Sequence, residues 1–207
     1  GLEVVSRFGS PKVARRGRLR DYPPAGRLEV LKELMTGDYD VLHYCGHGDF
    51  DPKDGQRAGW IFTEGLLTAL EIERVEAPPP LVVANACLSA RTSSALGGRE
   101  VRALESKLLP SLADEFFRRG VRNYVGTAWT VSDLGAIRFA KAFYETLLAR
   151  DEALAAGPKS GQAKSAANSI GEAVLEARKV LYAARGDFGG LWSAYQHYGD
   201  PNTVVRR

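Results

Sequence analysis

YDVLHYC at 39–45 is a largely continuous apolar and aromatic run without alternation, and LVVANAC at 81–87 and VRNYVGTA at 121–128 are two further runs of strand character. A strand with one wet face alternates apolar and polar residues, whereas an unbroken apolar run belongs to a strand covered on both faces, as in a mostly parallel sheet. All three are therefore expected as buried strands, with the first of them central. Between them lie helical patterns. Pro24 suits a first helical turn, Leu28, Leu31, Leu34 and Met35 form an apolar face, and Gly37 is placed to end that helix. Leu108, Leu109, Leu112, Phe116 and Phe117 make a second buried side, started or kinked at Pro110 and closed at Gly120. Ser132 is a cap for a third helix carrying Leu134, Ile137, Phe143, Tyr144, Leu147 and Leu148, and Ile170, Val174, Ala177 and Leu181 mark a fourth.

The remaining segments fill in the order. LEVV at 2–5 reads as a strand, and the Gly- and Arg-rich stretch from there through Pro24 as a loop. GWIFTEGLLTA reads as a hairpin turning at Glu64-Gly65, followed by a short helix that Pro78, Pro79 and Pro80 terminate. LWSAYQHYGDP is a closing strand or extended segment, while SSALGGRE and AAGPKSGQAKS are polar connectors. Strands alternating with helices predict an α/β fold of three layers, a mostly parallel central sheet with helices on both faces, formed by residues 1–207 as one domain.

Charge and cysteine usage exclude several classes. With 28 Lys+Arg against 25 Asp+Glu the net charge is only +3, and the one basic cluster, KVARRGRLR, reads as a solvated loop rather than a nucleic-acid surface. No apolar run approaches the roughly 20 residues of a membrane helix. Two cysteines in 207 residues suggest no disulfide framework, which fits a reducing cytoplasm. His43 and His47 straddle a strand and a loop without the H-E-x-x-H pattern, so no metal is expected, and no phosphate-binding glycine motif calls for a nucleotide or other cofactor.

Ligands of open parallel sheets sit beyond the carboxyl ends of the strands. His47 lies just past the first apolar run and Cys87 at the end of the second. Neighbouring parallel strands about 4.8 Å apart would bring an imidazole and a thiol together there. A thiol attacks carbonyls as its thiolate, and a nearby imidazole either lowers its pKa or takes its proton, which is the pair acyl transfer requires. The Gly48 and Cys87 amides are candidate oxyanion donors, since glycine lets substrate approach bare backbone. Against this stands plain packing, because free cysteine is among the most buried residue types. His43 and Cys45 share the parity of Val41 and read as packed core residues.

At these residues the chain resembles the CHAT domain, a caspase-like family of cysteine peptidases related to separases and metacaspases. DYDVLHYCGHGDFDP is similar to the family's histidine segment and LVVANACLSA to its cysteine segment. LLTALEIE, GVRNYVGTAWTVSDLGAIRFAKAFYETLL and LWSAYQHYGDP continue the likeness in order, over about residues 29–200. The resemblance implies a caspase-like fold and a cysteine endopeptidase that cuts a protein substrate, with His47 as general base or acid and Cys87 as nucleophile. It also implies that Asn85 lines the pocket for the residue before the scissile bond and that Asp133 matches an acidic position of separase-like relatives. Asp133 is then either a pocket for Arg or Lys or, beside Ser132, a helix-stabilising first-turn acid. Asp49 and Asp51 are either subsite residues or solvated loop acids. Family members commonly belong to longer proteins, so the chain reads as a fragment lacking upstream regions, and activation by a regulatory partner or upstream domain is implied. Arg91 or Arg99 would be a maturation site in the loop SARTSSALGGRE, against an uncut surface loop. Other functions consistent with the same residues are a catalytically silent interaction scaffold and a cysteine-dependent amidase or acyltransferase acting on small molecules.

Overall fold

The computed structural model describes residues 3–6, 12–15, 18–21, 25–49, 59–86, 112–149 and 168–205. Four strands form the main sheet. They are β3 (Val41–Cys45), β7 (Leu81–Asn85), β8 (Asn123–Thr127) and β9 (Tyr195–Gly199), hydrogen-bonded in that spatial order. The first three run parallel and β9 runs antiparallel to β8. All five residues of β7 and of β8 are buried, the polar Asn85, Asn123 and Thr127 included, as strands covered on both faces require.

Successive side chains of a strand point to opposite faces, and the two faces of this sheet feed two separate cores. Val82 and Ala84 of β7 and Tyr124 of β8 point into a cluster with Leu31, Leu34, Trp60, Leu67, Ile72 and Phe116. Those partners come from α1 (Arg27–Thr36), the antiparallel hairpin β5 (Gly59–Phe62) and β6 (Gly65–Thr68), α2 (Ala69–Ile72) and α3 (Leu112–Arg118). Leu81 and Val83 of β7 and Val125 of β8 point the other way, into Phe139, Phe143, Leu147, Ile170, Val174, Ala177 and Leu181. That second layer is α4 (Asp133–Leu147) packed on α5 (Ile170–Ala183), with the short α6 (Arg185–Phe188) and a 3-10 turn at Leu191–Ser193 leading into β9. The outcome is the three-layer α/β arrangement expected from the sequence.

Local signals explain the helix starts. The Ser132 hydroxyl accepts from the Gly135 amide at 3.3 Å, and Ser169 and Glu172 form a reciprocal capping box at the start of α5. Gly135 itself is required by packing, because a β-carbon there would lie 2.1 Å from Leu191 Cδ2.

Several expectations are corrected. β3 is not central: among the described residues it is an edge strand of the sheet, paired only with β7. Its unbroken apolar run is half used, with Tyr44 buried, Leu42 and Val41 half-buried, and His43 and Cys45 exposed. Glu3–Ser6 is not a strand, and Val4 and Val5 lie exposed there. The stretch read as a loop before Pro24 instead contains an antiparallel hairpin, β1 (Lys12–Arg15) and β2 (Arg18–Asp21), in which Arg15 pairs with Arg18. Neither KVAR nor RLRD alternates, and the charge of the segment favours a loop reading, so the sequence carries no clear strand signal here. The β5–β6 turn falls one residue earlier than expected, since Phe62 pairs with Gly65 and leaves Thr63-Glu64 as the two-residue loop. Gly65 opens β6 at φ 123°, a left-handed geometry that only glycine adopts readily. In α1, Leu28 and Met35 are exposed and only Leu31 and Leu34 are buried. In α4 the buried stripe is Ala136, Phe139, Phe143 and Leu147, so Leu134 and Ile137 face outward. Leu108, Leu109 and Pro110, the loop SARTSSALGGRE with Arg91 and Arg99, and the connector AAGPKSGQAKS lie outside the described residues.

Candidate active site

The site is built on the pairing of β3 with β7. Val41 pairs with Leu81 and Cys45 with Asn85, an offset of 40 residues (85 − 45), and 87 − 47 is the same offset. The Gly46 amide extends the ladder one step by donating to Asn85 O at 3.3 Å. His47 follows the last paired residue of β3 by two positions and Cys87 follows that of β7 by two; Cys87 itself lies outside the described residues.

Beyond Gly46 the chain leaves the main sheet and joins a smaller one. Gly48 and Asp49 form β4, antiparallel to β5, with Gly48 opposite Trp60 and Asp49 opposite Gly59. His47 is exposed at the junction, while its backbone is fixed: its carbonyl oxygen accepts from the Ile61 amide at 2.8 Å and lies 2.8 Å from the Tyr44 hydroxyl. Gly46 must be bare, because a β-carbon there would sit 2.6 Å from that hydroxyl. Tyr44 in turn is stacked on Trp60 with ring centroids 4.4 Å apart and planes 5° apart. Sequence reading missed Tyr44 and Trp60 as parts of the site; they look like core residues, and nothing in their spacing reveals where the hydroxyl ends.

Asn85 is buried, and its amide is engaged at both ends. Its Nδ2 donates to Ala136 O at 3.1 Å, and its Oδ1 accepts from the Tyr195 hydroxyl at 2.6 Å. The side chain thus ties β7 to α4 and β9, a scaffold role that leaves the expected pocket-lining role unsupported by these contacts. One residue on, Ala86 O accepts from the Thr127 hydroxyl, so the last described residue before Cys87 is also anchored.

Asp133 is exposed in the first turn of α4, beside the capping Ser132, where a carboxylate complements the helix dipole. Its charge also reaches the carboxyl end of β3. The Cys45 thiol has its pKa raised by burial first and by the Asp133 carboxylate second, although the residue as a whole is partly open to solvent. Neither His43 nor Cys45 is the packed core residue expected, because the face of an edge strand has no neighbour on one side. The His43 ring stacks obliquely near Tyr144 at 5.4 Å, and desolvation lowers its pKa to about 4 even though part of the residue is open. It is therefore neutral at physiological pH. Asp49 is exposed in β4, and Asp51 lies outside the described residues.

With its pKa raised, Cys45 holds little thiolate at neutral pH. Iodoacetamide at pH 7.5 is expected to modify it more slowly than a free cysteine, the rate climbing at higher pH than for an unperturbed thiol. Asp133→Asn moves that climb to lower pH; peptide mass spectrometry of the alkylated protein reads both. An unchanged profile in Asp133→Asn would contradict the electrostatic contact.

Among the described residues no group of three or more His, Cys, Asp or Glu side chains could hold a metal ion, and no helix is long and apolar enough to cross a membrane. Comparison with known folds returns the Arg-specific cysteine proteinase gingipain R, at TM-score 0.59 and 14% identity over 89% of this chain and 38% of that one. The complex of the pro- and mature domains of Porphyromonas gingivalis RgpB gives TM-score 0.60 at the same 14% identity and the same coverage. The Saccharomyces cerevisiae separase–securin complex gives TM-score 0.52 and 19% identity over 93% of this chain. The chain spans 38% of the gingipain chains and 10% of the separase chain, and at these identities the likeness is one of fold, the caspase-like fold. No curated sequence matches it. The CHAT domain profile matches residues 3–200, nearly the whole length, and the chain belongs to the CHAT domain family.

Proposed function

We propose that this domain is a cysteine endopeptidase in which His47 and Cys87 form the catalytic dyad. The observation that carries the reading is the in-register parallel pairing of β3 with β7, whose offset equals the separation of the two residues. In the proposed cycle the Cys87 thiolate attacks the scissile carbonyl, and the oxyanion that develops is held by the Gly48 and Cys87 amides. Collapse of the tetrahedral intermediate breaks the C–N bond, the amine leaving with a proton from His47, and a thioester remains on Cys87. Water, deprotonated by His47, then hydrolyses the thioester and restores the thiol.

For specificity we propose that Asp133 recognises Arg or Lys before the scissile bond. Two things support it: its carboxylate is felt at Cys45, at the carboxyl end of the strand that precedes His47, and a fold neighbour is named as Arg-specific. Asp49, and Asp51 beyond it, would add acidic subsites. The substrate would be a protein, and control would come from a regulatory partner or an upstream domain in a reducing, cytoplasmic setting.

A positional-scanning peptide library incubated with the parent, with Cys87→Ala and with Asp133→Asn tests both parts. Cleavage after basic residues by the parent, lost in Cys87→Ala and reduced about tenfold or more in Asp133→Asn, is the expected result. Equal cutting by Cys87→Ala would end the peptidase reading. Cutting after other residues would end the Asp133 assignment alone. A silent scaffold would give no cleavage and a slowly alkylated Cys87.

A further inference from the structure

We propose that Tyr44 is a positioning residue for the His47 imidazole, acting through the backbone of the histidine rather than through its ring. The inference rests on the dyad reading and deepens it.

His47 stands between Gly46 and Gly48, and glycine samples backbone conformations that other residues avoid, so sequence alone leaves this corner loose. Something must restrain the peptide units on either side if the imidazole is to hold one direction. The restraint converges on one atom. The His47 carbonyl oxygen receives the Ile61 amide at 2.8 Å, and the Tyr44 hydroxyl lies 2.8 Å from the same oxygen. That hydroxyl is also 2.8 Å from Ile61 O, so its single proton is shared between the loop of His47 and strand β5.

The hydroxyl is well suited to the task. The Tyr44 ring is held by the stacked Trp60, which fixes where its oxygen sits, while Phe62 only flanks the pair, tilted with its centroid 5.4 Å away. Burial pushes the phenol up to about 12, so it remains a proton donor across the working range of a thiol peptidase. Gly46 contributes by absence, since any β-carbon there would displace the same oxygen. A hydrogen bond to that carbonyl constrains the backbone at His47, and with it the direction in which the imidazole leaves the chain. A misplacement of about 1 Å at a reacting group is enough to cost about 100-fold in rate.

Tyr44→Phe removes the oxygen and keeps the stacked ring. Because His43, His47 and His197 are the chain's three histidines, the His47 ring can be followed on its own by NMR. In Tyr44→Phe its signals are expected to broaden or shift to averaged positions, with those of His43 and His197 unchanged. Iodoacetamide modification of Cys87 at pH 7 falls about tenfold, and the melting temperature moves by no more than about 4 °C. Phe62→Leu loosens the same aromatic cluster without touching the hydroxyl and leaves the His47 signals in place. His47 signals that coincide in parent and Tyr44→Phe, or that move equally in Phe62→Leu, overturn the proposal. The dyad is read separately by His47→Ala: if Cys87 alkylates at the parent rate in that variant, the dyad reading fails whatever Tyr44 does.

Discussion

Replacing either His47 or Cys87 with alanine is expected to lower peptide turnover by a factor on the order of 10⁴ or more, and the double variant to be no slower than the worse single one. The reason is that neither group works alone. A thiol without its imidazole is mostly protonated at neutral pH and has no acid to deliver a proton to the leaving amine, while an imidazole without the thiol has no nucleophile to activate. Residual catalysis would come from the backbone donors and from substrate positioning, which both single variants retain. The fold should be unaffected in His47→Ala: His47 is exposed, and its carbonyl, which holds the Ile61 amide and the Tyr44 hydroxyl, is kept by alanine. Circular dichroism and melting curves for the variants check that point. Rates that multiply instead of saturating would mean that the two residues act independently and are not a dyad.

Trp60→Ala is expected to be the most damaging of the aromatic truncations near the site, costing about 3–5 kcal/mol. Trp60 is 2% exposed; it stacks on Tyr44 and contacts Phe116 at 5.4 Å between centroids, so its removal opens a cavity at the junction of β5, β3 and α3. Such a loss is a large fraction of the 5–15 kcal/mol that stabilises a typical domain. Trp60→Phe should be far milder, since it retains an aromatic stack and removes a buried indole N–H that has no hydrogen-bond partner among the described residues. Urea unfolding of the three proteins ranks them. A Phe variant as unstable as the Ala variant would mean that the indole ring, and not aromatic filling, is what the site requires. The Ala variant should also lose peptidase activity beyond its instability, because the Tyr44 hydroxyl is held by the same stack.

Much of the fold was legible because the strongest signals are periodic. Runs rich in apolar residues and free of alternation marked β7 and β8 as buried strands, and the 3.6-residue stripe of Ile170, Val174, Ala177 and Leu181 marked α5 with its buried side. Where the pattern was ambiguous, tertiary context decided. YDVLHYC reads as central because it lacks alternation, yet β3 is an edge strand among the described residues, and His43 and Cys45 lie on a partly open face. α4 has the expected cap, and Phe143 and Leu147 turn inward as expected, but Leu134 and Ile137 face outward: they are as apolar as Phe139, and only the geometry of the sheet below tells which of these residues are buried. For the candidate site, the expected position of His47 just past a strand end is where the structure has it. The sequence did not reveal that Asn85 spends its amide on Ala136 and Tyr195, or that the Tyr44 hydroxyl reaches the His47 carbonyl three residues on. Both are hydrogen bonds between residues whose types suit many other partners, and only the folded chain selects among them.

The claim on which the rest depends is that the sulfur of Cys87 feels the imidazole of His47. Its most direct test is the pH dependence of Cys87 alkylation in the parent and in His47→Ala, followed by peptide mass spectrometry so that Cys45 is scored separately. The account predicts an inflection in the parent well below the ordinary thiol pKa of about 8.5, and its return to about that value when the imidazole is removed. Superimposable curves for the two proteins would contradict it.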